Sequence, residues 1–301
     1  MKIGYPCINR TIGCQGNRTF RLKTYSEERL VSTVSNNLDC LRKMLRFNVE
    51  QNILFFRITS DLVPFASHPV CRFDWLNHFR REFEEIEEYV NYHQIRISMH
   101  PGQFTILNTP DDSVLENSIR ELLYHAQVLD AMALDSTAKI QLHVGGIYGD
   151  KRGSILRFIK RYRSLDRQIK KRLVIENDDR NYNLNDCLRI HAETGIPVLF
   201  DVLHHELINS GEGLKDAFPL FTRTWEEADG IPMVDYSHQR KAALNTKHCE
   251  TIDVEHFRRF LGQTEPFDYD VMLEIKDKEE SVLKVLPILA SDARFYRRAF
   301  V

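Results

Sequence analysis

Short apolar runs rich in β-branched and aromatic residues alternate with longer stretches of helical period from one end of the chain to the other. Eight runs read as strands: Lys2 to Tyr5, Ile53 to Ile58, Ile95 to Met99, Lys139 to Val144, Leu173 to Glu176, Pro197 to Val202, Pro232 to Tyr236 and Asp270 to Ile275. Between them Leu30, Val34, Leu38, Leu41 and Leu45 fall on one helical face, as do Leu76, Phe79, Phe83, Ile86 and Val90. Leu115, Ile119, Leu122, Ala126, Leu129 and Ala133 repeat the pattern. Eight β-then-α units predict an α/β fold, a single (β/α)8 TIM barrel. An open doubly wound sheet fits less well, because no Gly-x-Gly-x-x-Gly turn follows the first strand. No Pro/Gly/Ser-rich linker or shift of composition interrupts the alternation, so residues 1–301 read as one domain.

In such a barrel the active site is built at the carboxyl ends of the strands, and these positions are rich in ligand types. His100 ends the third strand, His143 lies in the fourth, and Glu176 ends the fifth. Asp201, followed by His204 and His205, lies at the end of the sixth, Asp235 in the seventh and Glu274 in the eighth. His68 and His248 sit in the loops after strands two and seven. A lone histidine at such a position is ordinarily a hydrogen-bonded structural residue. Convergence of His, His, Glu, Asp and Glu on five strand ends is explained in one step by divalent metal ions. A set of imidazoles and carboxylates without thiolate suits Zn2+ or Mn2+ better than Mg2+ or an iron–sulfur centre. Eight or nine candidate ligands exceed one tetrahedral site and imply two or three ions. Such clusters hydrolyse phosphoryl groups, with Glu176 and Glu274 as the natural bridging carboxylates.

A formal net charge of −2 gives no global field for holding a polyanion, so any contact with nucleic acid must be local. The segment from Arg10 to Lys23 contains Arg10, Arg18, Arg21 and Lys23 and no acid, and it follows the first strand on the active face. It is the candidate phosphate-binding segment. Lys151 to Arg172 carries ten Lys/Arg against Asp166 alone, but an outer helix with a solvated face accounts for most of it. Only Lys151 and Arg152, close after Gly145-Gly146, are placed to touch a polyanion at the active face. The six cysteines are scattered without a C-x-x-C pair, which argues against a thiolate zinc site and predicts reduced, mostly buried thiols. No apolar stretch approaches the length of a bilayer span, and Met1 to Pro6 runs straight into a strand, so a cytoplasmic protein without membrane partners is expected.

Several segments together carry a family resemblance: Gly4-Tyr5, Phe56-Arg57-Ile58-Thr59-Ser60, His100-Pro101-Gly102-Gln103-Phe104 with Leu107-Asn108, Ile175-Glu176-Asn177-Asp178-Asp179, Asp201 with His204-His205, and Met272 to Glu279. Over nearly its whole length the chain resembles the UV damage endonucleases, repair nucleases related in fold to endonuclease IV. The resemblance implies a TIM barrel holding two to three divalent ions, manganese first, with zinc or cobalt as alternatives. It implies cutting of double-stranded DNA immediately 5′ to cyclobutane dimers, (6-4) photoproducts or abasic sites, at the nucleoid of a prokaryote. Metal-activated water would leave 3′-hydroxyl and 5′-phosphate ends. By motif, the ligands resemble His68, His100, His143, Glu176, Asp201, His204, His248 and Glu274, with Glu176, Glu274, Asp201 and His143 nearest the chemistry. Gln103 and Phe104 resemble the pair that inserts into the duplex, and Tyr5 and Asn9 resemble residues that probe the damaged nucleotides.

A wedge of this kind costs a few kcal/mol per unstacked step, least where a lesion has weakened pairing. Core packing is the bland alternative for Phe104. Where many relatives have a lysine and then a ligand histidine in strand seven, this chain has Met233 and Asp235. Asp235 either ligates as an oxygen donor or hydrogen-bonds a ligand. Lys276 and Lys278 either neutralise phosphate or pair with Asp277 and Glu279. Three other readings stand beside this one: an abasic-site endonuclease of the endonuclease IV type, a metal-dependent sugar isomerase, and a non-catalytic damage-binding protein. A monomer suffices to clasp a duplex.

Overall fold

In the computed structural model, which describes residues 1–239 and 248–298, eight short parallel strands close into a barrel in sequence order. They are β1 (Ile3–Pro6), β2 (Phe55–Ile58), β3 (Arg96–Met99), β4 (Lys139–His143), β5 (Leu173–Glu176), β6 (Val198–Asp201), β7 (Met233–Tyr236) and β8 (Asp270–Leu273). β8 returns to β1 with Ile3 beside Val271 and Gly4 beside Met272. This is the TIM barrel expected from the alternation of strand and helix periods, with strand ends that differ by one or two residues.

Because the strands are covered on both sides, their alternation sorts side chains between two cores. Outward residues such as Phe56, Ile97, Leu142, Ile175, Phe200, Val234 and Leu273 join the large core beneath the surrounding helices. Inward residues Phe55, Val174, Leu199, Met233 and Met272 form a separate apolar plug in the barrel. Gly4 in β1 is required there, since a Cβ would lie 1.9 Å from the Phe55 carbonyl oxygen. One inward step toward the carboxyl ends, the plug gives way to Arg57, Glu176, Asp201, Asp235 and Glu274. The period of two therefore lifts the polar set above an apolar floor.

The first helix, Glu27–Glu50, is capped by Ser26, whose side chain accepts from the Arg29 amide, and buries the predicted Leu30, Val34, Leu38, Leu41 and Leu45. The second predicted face divides: Leu76 falls in a separate turn, Trp75–His78, capped by Asp74, and Phe79 is the joint before the helix Arg80–His93. Ala133 lies beyond the helix Asp112–Ala131, in the left-handed region at φ 42°.

One expectation needs correction. Cys14 and Cys40, expected as thiols, form a disulfide with Cα atoms 5.8 Å apart. The segment after β1 folds back along the first helix, where Asn37 Nδ2 donates to the carbonyls of Arg18 and Asp61, each at 3.0 Å, and this return brings distant cysteines together. The basic stretch Lys151 to Arg172 has the solvated face expected of it, with Lys151, Arg152, Lys160, Arg163, Arg167 and Lys171 exposed, while three of its arginines turn inward. Arg157 donates to the Asn108 carbonyl at 3.0 Å, Arg161 to that of Leu107 at 2.9 Å, and Arg172 is 1% exposed beside Asp130. Lys151, placed by its sequence to touch DNA, pairs with Asp186 at 2.5 Å.

Candidate metal centre and DNA face

Strand-end residues meet in a cavity of about 790 Å3 at the carboxyl end of the barrel, lined by His100, His143, Glu176, His204, His248 and Glu274, with Gln103, Lys276 and Lys278 at its edges. Glu176 Oε1 lies 2.7 Å from His143 Nδ1 and 3.4 Å from His100 Nε2. His248 Nε2 is 3.4 Å from Glu274 Oε2, and His204 Nδ1 is 3.5 Å from Asp201 Oδ2 and 3.0 Å from the Asn177 carbonyl. Donor atoms of His100, His143 and Glu176 lie within 4.8 Å of one another, and so do those of Asp201, Asp235 and Glu274.

The electrostatics follow from placing several acids at one buried rim. Burial opposes the charge on Glu176, but His143 and His100 hold its carboxyl well below the usual range. In turn, although burial disfavours its charge, Glu176 raises the His143 imidazole to about 9, and Asp201 and Glu176 do the same for His204, again to about 9. Asp201 is pushed up to about 6 by burial, against the pull of His204. Burial also drives Asp235 well above its ordinary value, opposed by Arg57, whereas Glu274 is held low by Arg57 and His248 in spite of its burial.

These residues fit divalent cations. The buried Nδ1 atoms of His100 and His248 have no hydrogen-bond partner among the described residues. Four buried or half-buried carboxylates and four imidazoles converge, the donor chemistry of Mn2+ or Zn2+, and burial keeps Cys7, which lines the same cavity, as a thiol.

Not every candidate from the sequence joins this cavity. His68 is exposed in its loop, with Nδ1 accepting from the Val70 amide at 3.0 Å. His205 packs on Phe200 and faces the Glu212 carbonyl at 3.0 Å. Asp235 is directed to Arg57 at 2.7 Å. Tyr5 is fully buried, its hydroxyl donating to Asn48 Oδ1 at 2.6 Å and accepting from Asn9 Nδ2 at 2.9 Å. Asn9 turns its own oxygen to the Thr11 amide at 2.9 Å.

Beyond it, Arg10 and Arg18 line a groove of about 1130 Å3 together with Arg29, and no acid among the described residues lines that groove. Arg21 and Lys23 are exposed at the turn Leu22–Thr24. Lys276 pairs with Glu250 at 2.6 Å, Asp277 pairs with Lys284 at 2.9 Å, and Glu279 accepts from the Arg10 and Thr11 amides. Lys278 is largely enclosed at the cavity edge, and that burial lowers the pKa of its ammonium. Gln103 and Phe104 stand clear of the fold, and at 79% exposure Phe104 is no core residue.

Two polar residues of the site went unassigned from sequence. Arg57 in β2 donates to Asp235 and Glu274, and Gln141 in β4 donates to Glu176 and Asp235. The available signal was a polar residue at an inward position inside an apolar strand, where it must be satisfied by partners across the barrel.

A family described as UV-endonuclease UvdE matches residues 1–296. A UV DNA damage endonuclease of Clostridium perfringens (strain 13 / Type A) is 40% identical over 288 residues, covering 95% of this chain and 70% of the relative. The crystal structure of SacUVDE superposes with a TM-score of 0.94 at 44% identity, covering 98% of this chain and 100% of that one. Endonuclease IV from Thermus thermophilus, at 13% identity and a TM-score of 0.60 over 84% of this chain and 95% of its own, shares the fold.

Proposed function

Because this chain belongs to the UV-endonuclease UvdE family, we propose that it is an endonuclease acting on duplex DNA that carries ultraviolet lesions, and that it does so with divalent metal ions. The observation that carries the metal reading is the excess of acid at one rim: Glu176, Asp201, Asp235 and Glu274 meet one guanidinium, Arg57, and several imidazoles. His100, His143, Glu176, Asp201, His204, His248 and Glu274 would hold the ions, manganese foremost. Bound there, divalent cations supply an activated water and neutralise charge on the departing 3′-oxygen of the phosphodiester.

The protein's own part is to orient and to bind. Glu176 and Glu274 keep their carboxylates ionised, since cationic neighbours hold both below the usual range. Lys278 at the cavity edge faces the approaching phosphate, and the groove beside Arg10 and Arg18 offers positive charge to a flanking backbone. Arg21 and Lys23 extend this surface. The exposed Gln103 and Phe104 are free to enter a weakened base step without unpacking the core, which reads damage as deformability. Tyr5 and Asn9 support this face through their mutual hydrogen bond and do not need direct contact with bases.

Cutting immediately 5′ to the lesion, action at abasic sites, and 3′-hydroxyl and 5′-phosphate products complete the proposal. The test is nicking of three matched duplexes in Mn2+: one cyclobutane dimer, one abasic site, and no damage. A nick on the 5′ side of the dimer with an extendable 3′ end is expected. Intact dimer duplex, or equal cutting of the undamaged one, would overturn the reading.

A further inference from the structure

One oxygen each from Asp201, Asp235 and Glu274 lies within 4.8 Å of the others. Buried carboxylates held so close call for a cation or a shared proton. In this structure that cation is a side chain. Arg57 Nη2 donates to the two oxygens of Asp235 at 2.7 and 2.8 Å and to Gln141 Oε1 at 2.6 Å, while Nη1 donates to Glu274 Oε1. The Arg57 side chain is 3% exposed and that of Asp235 is fully enclosed. A guanidinium keeps its charge under all ordinary conditions, and its planar fork fixes the direction of both carboxylates.

The other corner of the site differs. Glu176 Oε1 faces the imidazoles of His143 and His100, while its Oε2 accepts from the Gln141 amide. Gln141 also donates to Asp235, so it ties the two corners into one frame. Glu274 Oε2 is left on the His248 side, away from Arg57.

We propose that Arg57 is a resident cation which takes the place of a divalent ion between Asp235 and Glu274, with Asp235 as its counter-charge and not a metal ligand. The ions then gather around Glu176 and Asp201, with the imidazoles of His100, His143, His204 and His248 and the second oxygen of Glu274. This limits the ion count of the centre and rests on the metal-dependent reading given above.

The experiment is a count of Mn2+ bound to chelator-stripped protein, by calorimetry and elemental analysis, for wild type, Asp235→Asn, Arg57→Met and the double variant. Asp235→Asn should keep the wild-type number of ions with a Kd within about threefold. Arg57→Met should gain one, because three crowded carboxylates lose their permanent cation. The double variant removes both members of the pair, avoids a lone buried charge, and should return to the wild-type count even if Arg57→Met fails to fold. Loss of an ion in Asp235→Asn or in the double variant would overturn the assignment, as would a folded Arg57→Met with no gain. A wild type that binds no Mn2+ would instead bring down the metal-dependent reading itself, so the two failures are distinct.

Discussion

The two ends of the barrel both bury charge, on opposite terms. At the amino end Arg96 meets Asp270 at 2.9 Å, Lys139 meets Asp229 at 2.5 Å and Arg172 meets Asp130 at 2.5 Å. Spare guanidinium donors go to carbonyls, those of Ile231, Asp135 and Ala138 among them. At the carboxyl end Arg57 pairs with Asp235 and Glu274, Lys278 stands at the cavity edge, and Glu176 and Asp201 are left to imidazoles, whose charge is conditional. Acid matched by permanent cations finishes a structure; acid in excess of them is completed by a ligand. Buried pairs contribute little net stability but cost dearly when halved, whereas surplus carboxylates attract divalent ions.

Breaking the comparison at the acid-rich end should have the largest effect. Glu176→Gln or Glu274→Gln should lower nicking of a dimer-containing duplex by about 10³-fold, the scale of lost metal stabilisation at a reacting phosphate. Circular dichroism should show the fold retained. At the other end Asp270→Asn should cost about 3–5 kcal/mol in urea unfolding, since it strands Arg96, but leave nicking per folded molecule unchanged. If Asp270→Asn lost nicking as severely as Glu176→Gln, the two ends would not differ in kind. Reduction of the Cys14–Cys40 link should lower stability by about 3 kcal/mol through loop-closure entropy, read in the same unfolding assay with and without reductant.

A pH experiment sharpens the contrast. His143 and His204 are raised from 6.5 to about 9 in the metal-free protein. Their contribution to the metal-free fold is complete below pH 6.5 and is lost as pH climbs through about 9. Metal needs the neutral rings, so Mn2+ affinity should move the other way, rising with pH and levelling above about 9, with protons released on binding at pH 7. Calorimetry in two buffers of different ionisation enthalpy measures that release. The smallest effect is expected at the rim: Gln103→Ala with Phe104→Ala should reduce discrimination between damaged and undamaged duplex about tenfold while shifting stability by less than about 0.5 kcal/mol.

Much of this was legible in the chain. The strands declared themselves because parallel barrel strands are apolar on both faces, and His100, His143, Glu176, Asp201 and Glu274 stood out at the ends of those runs. Arg57 and Gln141 did not. Each interrupts an apolar run at an inward position, and its meaning depends on partners as far off in sequence as Glu274 and Asp235. The Cys14–Cys40 link was hidden for a similar reason, as only the return of the β1 loop along the first helix makes those cysteines neighbours. Local periodicity predicts elements well, and it is silent on pairings set by closure of the barrel. His68 and Tyr5 show the converse, residue types suited to a site that the fold leaves exposed or fully packed.

The central claim is that surplus acid at the carboxyl rim, and not buried charge in general, gathers the metal ions that cut DNA. Titration of Mn2+ into chelator-stripped wild type, Glu176→Gln and Asp270→Asn tests it most directly. Wild type and Asp270→Asn should bind the same number of ions, and Glu176→Gln should lose at least one. Equal binding by all three would contradict the account.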